Sequence, residues 1–481
     1  MSGFVGRATE IAALERLLSE ARAGRGILVS MRGRRQVGKS RLVQEFLARV
    51  GTPGVFFTAS RLPSAAELAA FADAATLGGV GADTSSAVSQ ASTWETALLL
   101  VTSEATPERP VVVVIDELPY LAESEPAIEA IIQKVWQTLE RRAVLVILIG
   151  SDLAMMERLT AYDRPLYGRA REMTVRPLTV AEVATMRGLA PAAALDAYLV
   201  TGGFPRLAGR WRSRDTLATF LRRELGDEDS PLVVAGERSV SAEFPADLNA
   251  RAVLTAIGAG ERGYQAIFDR SGVGRGTADR ALAALLEKRV IVRSIAYAEP
   301  PGTKSPRYVV ADPYLRFWLR FIQPGLAFLA RGRSDLAVDR VLEGWSTYRG
   351  RAIEPLVREA IERMLPHPAL GQAAFVGAYW TRDARVEVDL VGGREPDRAR
   401  TVDFVGSIKW RDRAPFDRDD LLALAEARSR VPGADRRTLL VGVSRSGFAT
   451  EGLDLALDPA AIVGAWQPQT PPARRRGDGA A

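Results

Sequence analysis

The chain has 481 residues, a formal net charge of +6, no cysteine and one histidine, His367, which sits between prolines. Those counts exclude disulfides, thiolate metal sites, cysteine nucleophiles and multi-histidine metal centres, and they argue against a Ser-His-Asp triad. The length calls for two to four domains, each able to bury a core. The surplus of positive charge is nearly all arginine. It is compatible with a nucleic-acid partner and equally with coding bias, so it decides nothing alone. No uncharged apolar stretch reaches the roughly 18 residues of a membrane span, and the N-terminus lacks the apolar core of a signal peptide. A cytoplasmic protein with no membrane partner is expected.

Along the first 180 residues strand and helix signals alternate, which predicts an α/β domain with a parallel sheet and crossover helices. Gly26–Met31 reads as the first strand. Gly33-Arg34-Arg35-Gln36-Val37-Gly38-Lys39-Ser40 comes next and spells G-x-x-x-x-G-K-[ST], directly before a helical pattern over Ser40–Val50. Strand, glycine loop and helix together make a phosphate cradle: glycines bend the backbone so that successive N–H groups face phosphate oxygens at a helix N-terminus. With 42 Gly but only five Lys in the chain, composition predicts roughly 0.004 accidental matches. Lys39 is expected at the β- and γ-phosphates of ATP and Ser40 on Mg²⁺. Gly33, Gln36, Val37, Gly38 and Arg41 complete the expected nucleotide contacts of the loop and helix start.

Val55–Thr58 reads as the second strand, and helical patterns cover Ala65–Ala75, Thr93–Ser103 and Ile128–Arg141. The β-branched run Val111–Ile115 suits a strand buried on both faces and ends in Asp116-Glu117. A carboxylate at the C-terminal end of a parallel strand lies at the ligand edge of the sheet. Asp116 is expected to hold Mg²⁺, largely through water, and Glu117 to orient and deprotonate the attacking water. The strand at Val55–Thr58, intervening between the two motifs, suggests the P-loop class in which another strand separates the Walker strands and a glutamate is catalytic. Ala143–Ile149 is a further strand, with Ser151 just after it in the position of a γ-phosphate sensor. Arg169 reads either as an arginine finger, in cis or on a neighbouring subunit, or as surface charge.

Phe4-Val5-Gly6-Arg7 with Glu10, the glycine loop, Val114–Glu117, Gly150-Ser151, Tyr167-Gly168-Arg169 and Thr201-Gly202-Gly203-Phe204-Pro205 occur in an order that resembles the archaeal-ATPase-type AAA+ proteins, relatives of the STAND switch NTPases. The resemblance implies that Phe4 and Arg7 line the adenine pocket and that Pro205, in a helical lid, approaches the nucleotide. By residues alone, Gly202–Pro205 reads only as a helix stop and turn.

Asn249–Gly258, Tyr264–Arg270 and Arg275–Lys288 read as three short helices, and Val290–Ile295 with Arg307–Val310 as a hairpin. That is a winged-helix pattern. Arg275, Thr277 and Arg280 at the front of the third helix, with Lys304 and Arg307 on the wing, are its candidate DNA contacts. The alternative is a lid element packed on the nucleotide domain. The aromatics of Asp312-Pro313-Tyr314-Leu315-Arg316-Phe317-Trp318 fall at helical spacing and read as core, while the phrase itself resembles the join to the C-terminal domain of that ATPase family.

Beyond it, a helix over Ile353–Leu365, strands at Phe375–Trp380, Val386–Val391 and Thr401–Trp410, a helix over Asp417–Arg430 and a strand at Thr438–Ser444 resemble a restriction-endonuclease-like core. Asp389 and Lys409 match two of its site positions, and Glu354 or Glu359 is placed to add a ligand. Ser407 stands where that pattern has an acid, and a neutral hydroxyl holds a divalent cation less well than a carboxylate; a degenerate domain kept for binding or packing is therefore the leading expectation.

The expected division is 1–180 ATPase core, 181–240 helical lid, 241–325 winged helix, 326–466 nuclease-like domain and 467–481 disordered tail. The expected activity is that of a Mg²⁺-dependent ATPase switch, with an ATP-gated DNA-binding protein or a DNA nuclease as alternatives. An unidentified protein partner and a homo-oligomer are further expectations.

Overall fold

The computed structural model describes residues 4–244, 246–299, 306–381, 383, 385–395 and 401–467. Lys304 and the expected tail beyond residue 467 lie outside the described residues. The chain divides into two compact units: residues 1–178 with 203–206, and residues 179–202 with 207–481. The segments expected as lid, winged helix and nuclease-like domain thus pack as one body, apart from 203–206.

In the first unit, β1 (Ile27–Arg32), β2 (Gly54–Thr58), β3 (Val111–Asp116), β4 (Val144–Gly150) and β5 (Ala170–Thr174) form one parallel sheet in the order β2-β3-β4-β1-β5. β3 and β4 are buried at every residue, as their unbroken apolar runs require of central strands covered on both faces. The two Walker strands, β1 and β3, are indeed separated by another strand, but that strand is β4. β2, which intervenes in sequence, lies at the sheet edge. Its two apolar faces differ: Val55 and Phe57 are buried, and Phe57 meets Phe71 and Trp94 with ring centroids 5.8 and 5.5 Å away. Thr93 caps the helix Trp94–Val101, its hydroxyl accepting the Thr96 N–H.

The second unit opens with helices Val180–Arg187, entered through a Thr179/Glu182 capping box, and Pro191–Thr201. Helices Leu248–Gly258, Tyr264–Ser271 and Arg275–Glu287 precede an antiparallel hairpin of β6 (Ile291–Ser294) and β7 (Arg307–Val310). The aromatic phrase then runs through helix Pro313–Phe317 and a π-helical turn at Trp318–Ile322, with Tyr314, Phe317, Trp318 and Phe321 buried. Trp318 closes the contact by donating its indole N–H to the Val233 carbonyl at 2.7 Å.

After helices Ser334–Ala352 and Glu354–Met364 come β8 (Phe375–Trp380), β9 (Glu387–Gly393), β10 (Val402–Lys409), helix Arg418–Arg428, β11 (Leu439–Ser444) and β12 (Leu455–Leu457). The sheet order is β12-β11-β10-β9-β8, antiparallel from β8 to β10 and parallel from β10 to β12. The expected order of helix, three strands, helix and strand is present. β12 and the helix Pro459–Gly464 are additions that the sequence did not reveal.

Gly236, in helix Pro231–Glu243, lies so close to Trp318 that a Cβ there would stand 2.2 Å from the indole. Gly236→Ala is expected to destabilise the fold by about 1–3 kcal/mol through overpacking, read as a lower urea midpoint at unchanged m-value.

Candidate functional site

β1 delivers the chain into the glycine loop, and two glycines are demanded by its shape. A Cβ on Gly33 would stand 2.3 Å from the Val175 carbonyl oxygen, and Gly38 has φ +91°, in the left-handed region. Helix Lys39–Val50 starts at once, so Lys39 belongs to its first turn. The Lys39 ammonium folds back to donate to the carbonyls of Gly33 (2.8 Å) and Arg34 (3.0 Å). Lys39 is only 6% exposed. Burial pulls its ammonium down to about 8, while Glu117 and Asp116 draw it back up.

The last residue of β3 meets the first turn of that helix. Ser40 Oγ donates to Asp116 Oδ2 at 2.6 Å, and the Glu117 N–H donates to Asp116 Oδ1 at 3.0 Å. Burial raises the Asp116 carboxyl, and the Ser40 hydrogen bond opposes the rise. A hydroxyl and a carboxylate brought together beside a buried ammonium are the hard oxygen donors that suit Mg²⁺, so these residues fit that ion. Glu117 adopts φ 55°, a left-handed conformation costly for a side-chain-bearing residue and concentrated at functional sites. Its carboxylate accepts from Ser151 Oγ at 2.9 and 3.1 Å. Ser151 is buried just beyond β4. Lys39, Ser40, Asp116, Glu117 and Ser151 thus converge at one edge of the sheet.

Of the other expected residues, Arg7 is buried and braces the loop, donating to the Val37 carbonyl at 2.8 Å and pairing with Glu10 at 3.0 Å. Val37 is fully buried, Gln36 is exposed at φ 64°, and Arg41 faces Glu45 at 3.6 Å. Phe4 lies under the Arg49 guanidinium at 6.0 Å. Pro205 belongs to the first unit and approaches the loop, its Cγ 3.6 Å from where a Gly38 Cβ would be. Arg169 is exposed and donates to the Pro165 carbonyl at 2.7 Å.

Sequence reasoning missed a tyrosine between two arginines at this edge. Tyr120 accepts from Arg35 at 2.7 Å, and the Arg61 guanidinium lies 4.0 Å from its ring centroid. Arg35 lies inside the glycine motif, but nothing in the pattern points to Tyr120 or Arg61.

In the second unit the expected nuclease-like residues take protein partners. Lys409 pairs with Asp420 at 3.2 Å. Asp389 Oδ2 accepts the Ile408 N–H at 2.8 Å and the Ser407 hydroxyl at 3.3 Å. Glu354 lies between Arg262 (4.0 Å) and Arg358 (3.5 Å), and Glu359 pairs with Arg363 at 2.8 Å. Burial raises both the Asp389 and the Glu354 carboxyls. Among the described residues, no group of three or more His, Asp or Glu side chains could hold a metal ion. At the expected DNA face, Arg275 donates to Gln265 at 3.1 Å, and Arg280 donates to the Gly276 carbonyl and to Thr277. No helix among the described residues is long and apolar enough to cross a membrane.

Residues 4–206 match an ATPase domain family described as predominantly from Archaea, and residues 318–423 match a family of archaeal and bacterial proteins of unknown function. An uncharacterized protein of Methanocaldococcus jannaschii is 24% identical over 334 residues, covering 67% of this chain and 73% of its own. Among solved structures, a Walker-type ATPase of Pyrococcus abyssi aligns at TM-score 0.47 and 18% identity, covering 66% of this chain and 96% of that one. The Aeropyrum pernix ORC2 protein aligns at TM-score 0.43 and 15% identity, over 70% and 95% of the two chains. The chain is thus similar, over its first 206 residues, to an archaeal-type ATPase domain and, later, to a family whose function is unassigned.

The depressed Lys39 gives a pH test. An empty site loses its ammonium proton above about 8, whereas bound phosphate retains it, so binding takes up a proton there. Affinity for ATP is expected to fall as pH rises above that value, by at most about tenfold per unit. Calorimetry on wild type and Lys39→Arg should show the fall only in wild type; a flat wild-type profile to pH ~9.5 contradicts it. The empty fold has the opposite trend from this group. The unfolded chain binds the extra proton between about 8 and the ordinary 10.5, so Lys39 contributes stability as pH rises through that window.

Proposed function

We propose that this chain is a Mg²⁺-dependent ATP hydrolase of the AAA+/STAND switch kind, in which nucleotide state at the glycine loop sets the disposition of the second unit. The observation that carries the reading is the convergence at one sheet edge of Lys39, the Ser40–Asp116 pair and the Glu117–Ser151 pair. The loop N–H groups and the Lys39 ammonium take the phosphates of ATP. Ser40 and Asp116 hold Mg²⁺, which when bound neutralises charge building on the phosphate oxygens. Glu117 is the general base for the attacking water. Ser151 parks the Glu117 carboxylate in the empty site and turns to the γ-phosphate once ATP is bound. Arg169, exposed beside its own loop, is free to serve a neighbouring copy.

The switch reading draws on chain path. The chain leaves the first unit after Leu178, returns to it for Gly203–Arg206 and leaves again. Gly202 and Gly203 both have positive φ, giving the crossing a backbone bend that other residues would strain. Pro205 within the returning segment is the residue near Gly38. In this reading the nuclease-like portion binds or packs and does not cleave, because Ser407 stands where a second carboxylate would be needed to hold a divalent cation.

Lys39→Ala is expected to abolish ATP binding. Glu117→Gln is expected to bind ATP with near-normal affinity and turn over at least about 100-fold more slowly. Ser151→Ala should retain binding and lower turnover by a smaller factor. Steady-state phosphate release with a parallel fluorescent-nucleotide titration separates these outcomes, and undiminished turnover in the first two variants sinks the assignment.

A further inference from the structure

A cavity of about 300 Å³ opens in the second unit between the end of helix Leu248–Gly258, β7 and the last turns of helix Ser334–Ala352. Four arginines reach its wall: Arg262, Arg316, Arg320 and Arg351. Two are fixed by neutral acceptors. Arg316 donates to the Val310 carbonyl at 2.7 and 3.1 Å, and Arg320 donates to the Ala259 carbonyl at 3.1 Å. Such bonds hold a guanidinium in place without cancelling its charge.

The nearby acids are few and shared, and Asp312 and Glu354 both bear on Arg316. Glu261 pairs with Arg270 at 3.3 Å, and Glu354 is divided between Arg262 and Arg358. Arg351, exposed at the end of its helix, has no ion pair among the described residues. Burial lowers the Arg262 guanidinium, Glu354 draws it back, and Arg351, Arg307 and Arg316 push it down again. Cations crowded at a partly buried wall repel one another unless an anion joins them. On the same wall, the Tyr348 hydroxyl is buried without a hydrogen-bond partner among the described residues.

We propose that this cavity binds a small phosphorylated molecule, with Arg262 and Arg351 taking the phosphoryl oxygens and Arg316 and Arg320 supplying the surrounding positive field. Planar guanidinium forks match phosphate geometry and keep their charge when partly buried, which lysine does not. The volume stands at the lower end of small-molecule sites and suits a diphosphate or a mononucleotide. The residues of this site all belong to the second unit and those of the glycine loop to the first.

The test uses the full chain carrying Lys39→Ala, so that the glycine loop is silenced. Isothermal calorimetry with pyrophosphate and with AMP is expected to give one site per chain. Adding Arg351→Glu should weaken that site at least about tenfold, with far-UV circular dichroism unchanged because Arg351 is exposed. Arg320→Gln supplies a second reading, expected in the same direction. A short single-stranded DNA forms the third arm, because its backbone carries the same phosphate chemistry. Binding of DNA alone, absence of binding by both pyrophosphate and AMP, or binding indifferent to both arginine variants would each overturn the proposal.

Discussion

The register of three parallel strands governs the nucleotide edge. Ile27 to Arg32 of β1 lie opposite Leu145 to Gly150 of β4, and Val111 to Ile115 of β3 lie opposite Val144 to Leu148. The strands therefore end at nearly the same level, and the segments leaving them emerge side by side. After β1 comes the glycine loop, at the end of β3 come Asp116 and Glu117, and after β4 comes Ser151. Three segments separated by many residues in sequence become one site because parallel pairing leaves no other place for them. A register slip of one residue in β3 would turn Asp116 away from Ser40. The complete burial of β3 and β4 opposes that slip, since it would misplace side chains against both covering layers.

The same register explains why the first unit is legible in sequence. A strand buried on both faces reads as an unbroken apolar run, and Val111–Ile115 and Ala143–Ile149 both do. The motif residues then fall at fixed offsets from the strand ends. Strand order is the property that such runs do not carry. β2 intervenes in sequence between the Walker strands yet pairs at the edge, because order depends on how crossover helices pack and not on chain sequence. The left-handed backbone of Glu117 and its hydrogen bonds to Ser151 are equally silent, since neither residue type announces the other.

The second unit shows the opposite balance. Its helices and strands are readable from periodicity, but its polar connections are not. Asp196, in helix Pro191–Thr201, pairs with Arg445 at 2.8 Å and lies 3.5 Å from Arg349, and both arginines reach Asp412 at 2.9 and 2.8 Å. Asp196 and Arg445 are 249 residues apart. Among 58 acids and 64 basic residues, no local pattern selects this quartet. Asp420 claims Lys409 in the same way, from a helix whose own capping box explains the acid's position without hinting at its partner. Buried ion pairs are poor sources of net stability but costly to break singly. Their consequence here is positional: the helix that leads into Gly202 is tied to the segments after β10 and β11.

Lysine and arginine divide the labour of holding anions in this chain, and their chemistry explains the division. An ammonium is a compact charge that yields its proton when desolvated, and Lys39 accordingly falls to about 8. Such a group suits a site that fills and empties, because the empty state can shed part of its charge penalty. A guanidinium remains cationic under the same burial, so a cluster of them cannot relax by deprotonation. It must be diluted by carbonyls, paired with acids or met by an anion. Arg316 and Arg320 take the first course, Arg445 and Arg349 the second. Arg262, with one distant and shared carboxylate, and Arg351, with none among the described residues, are left with the third.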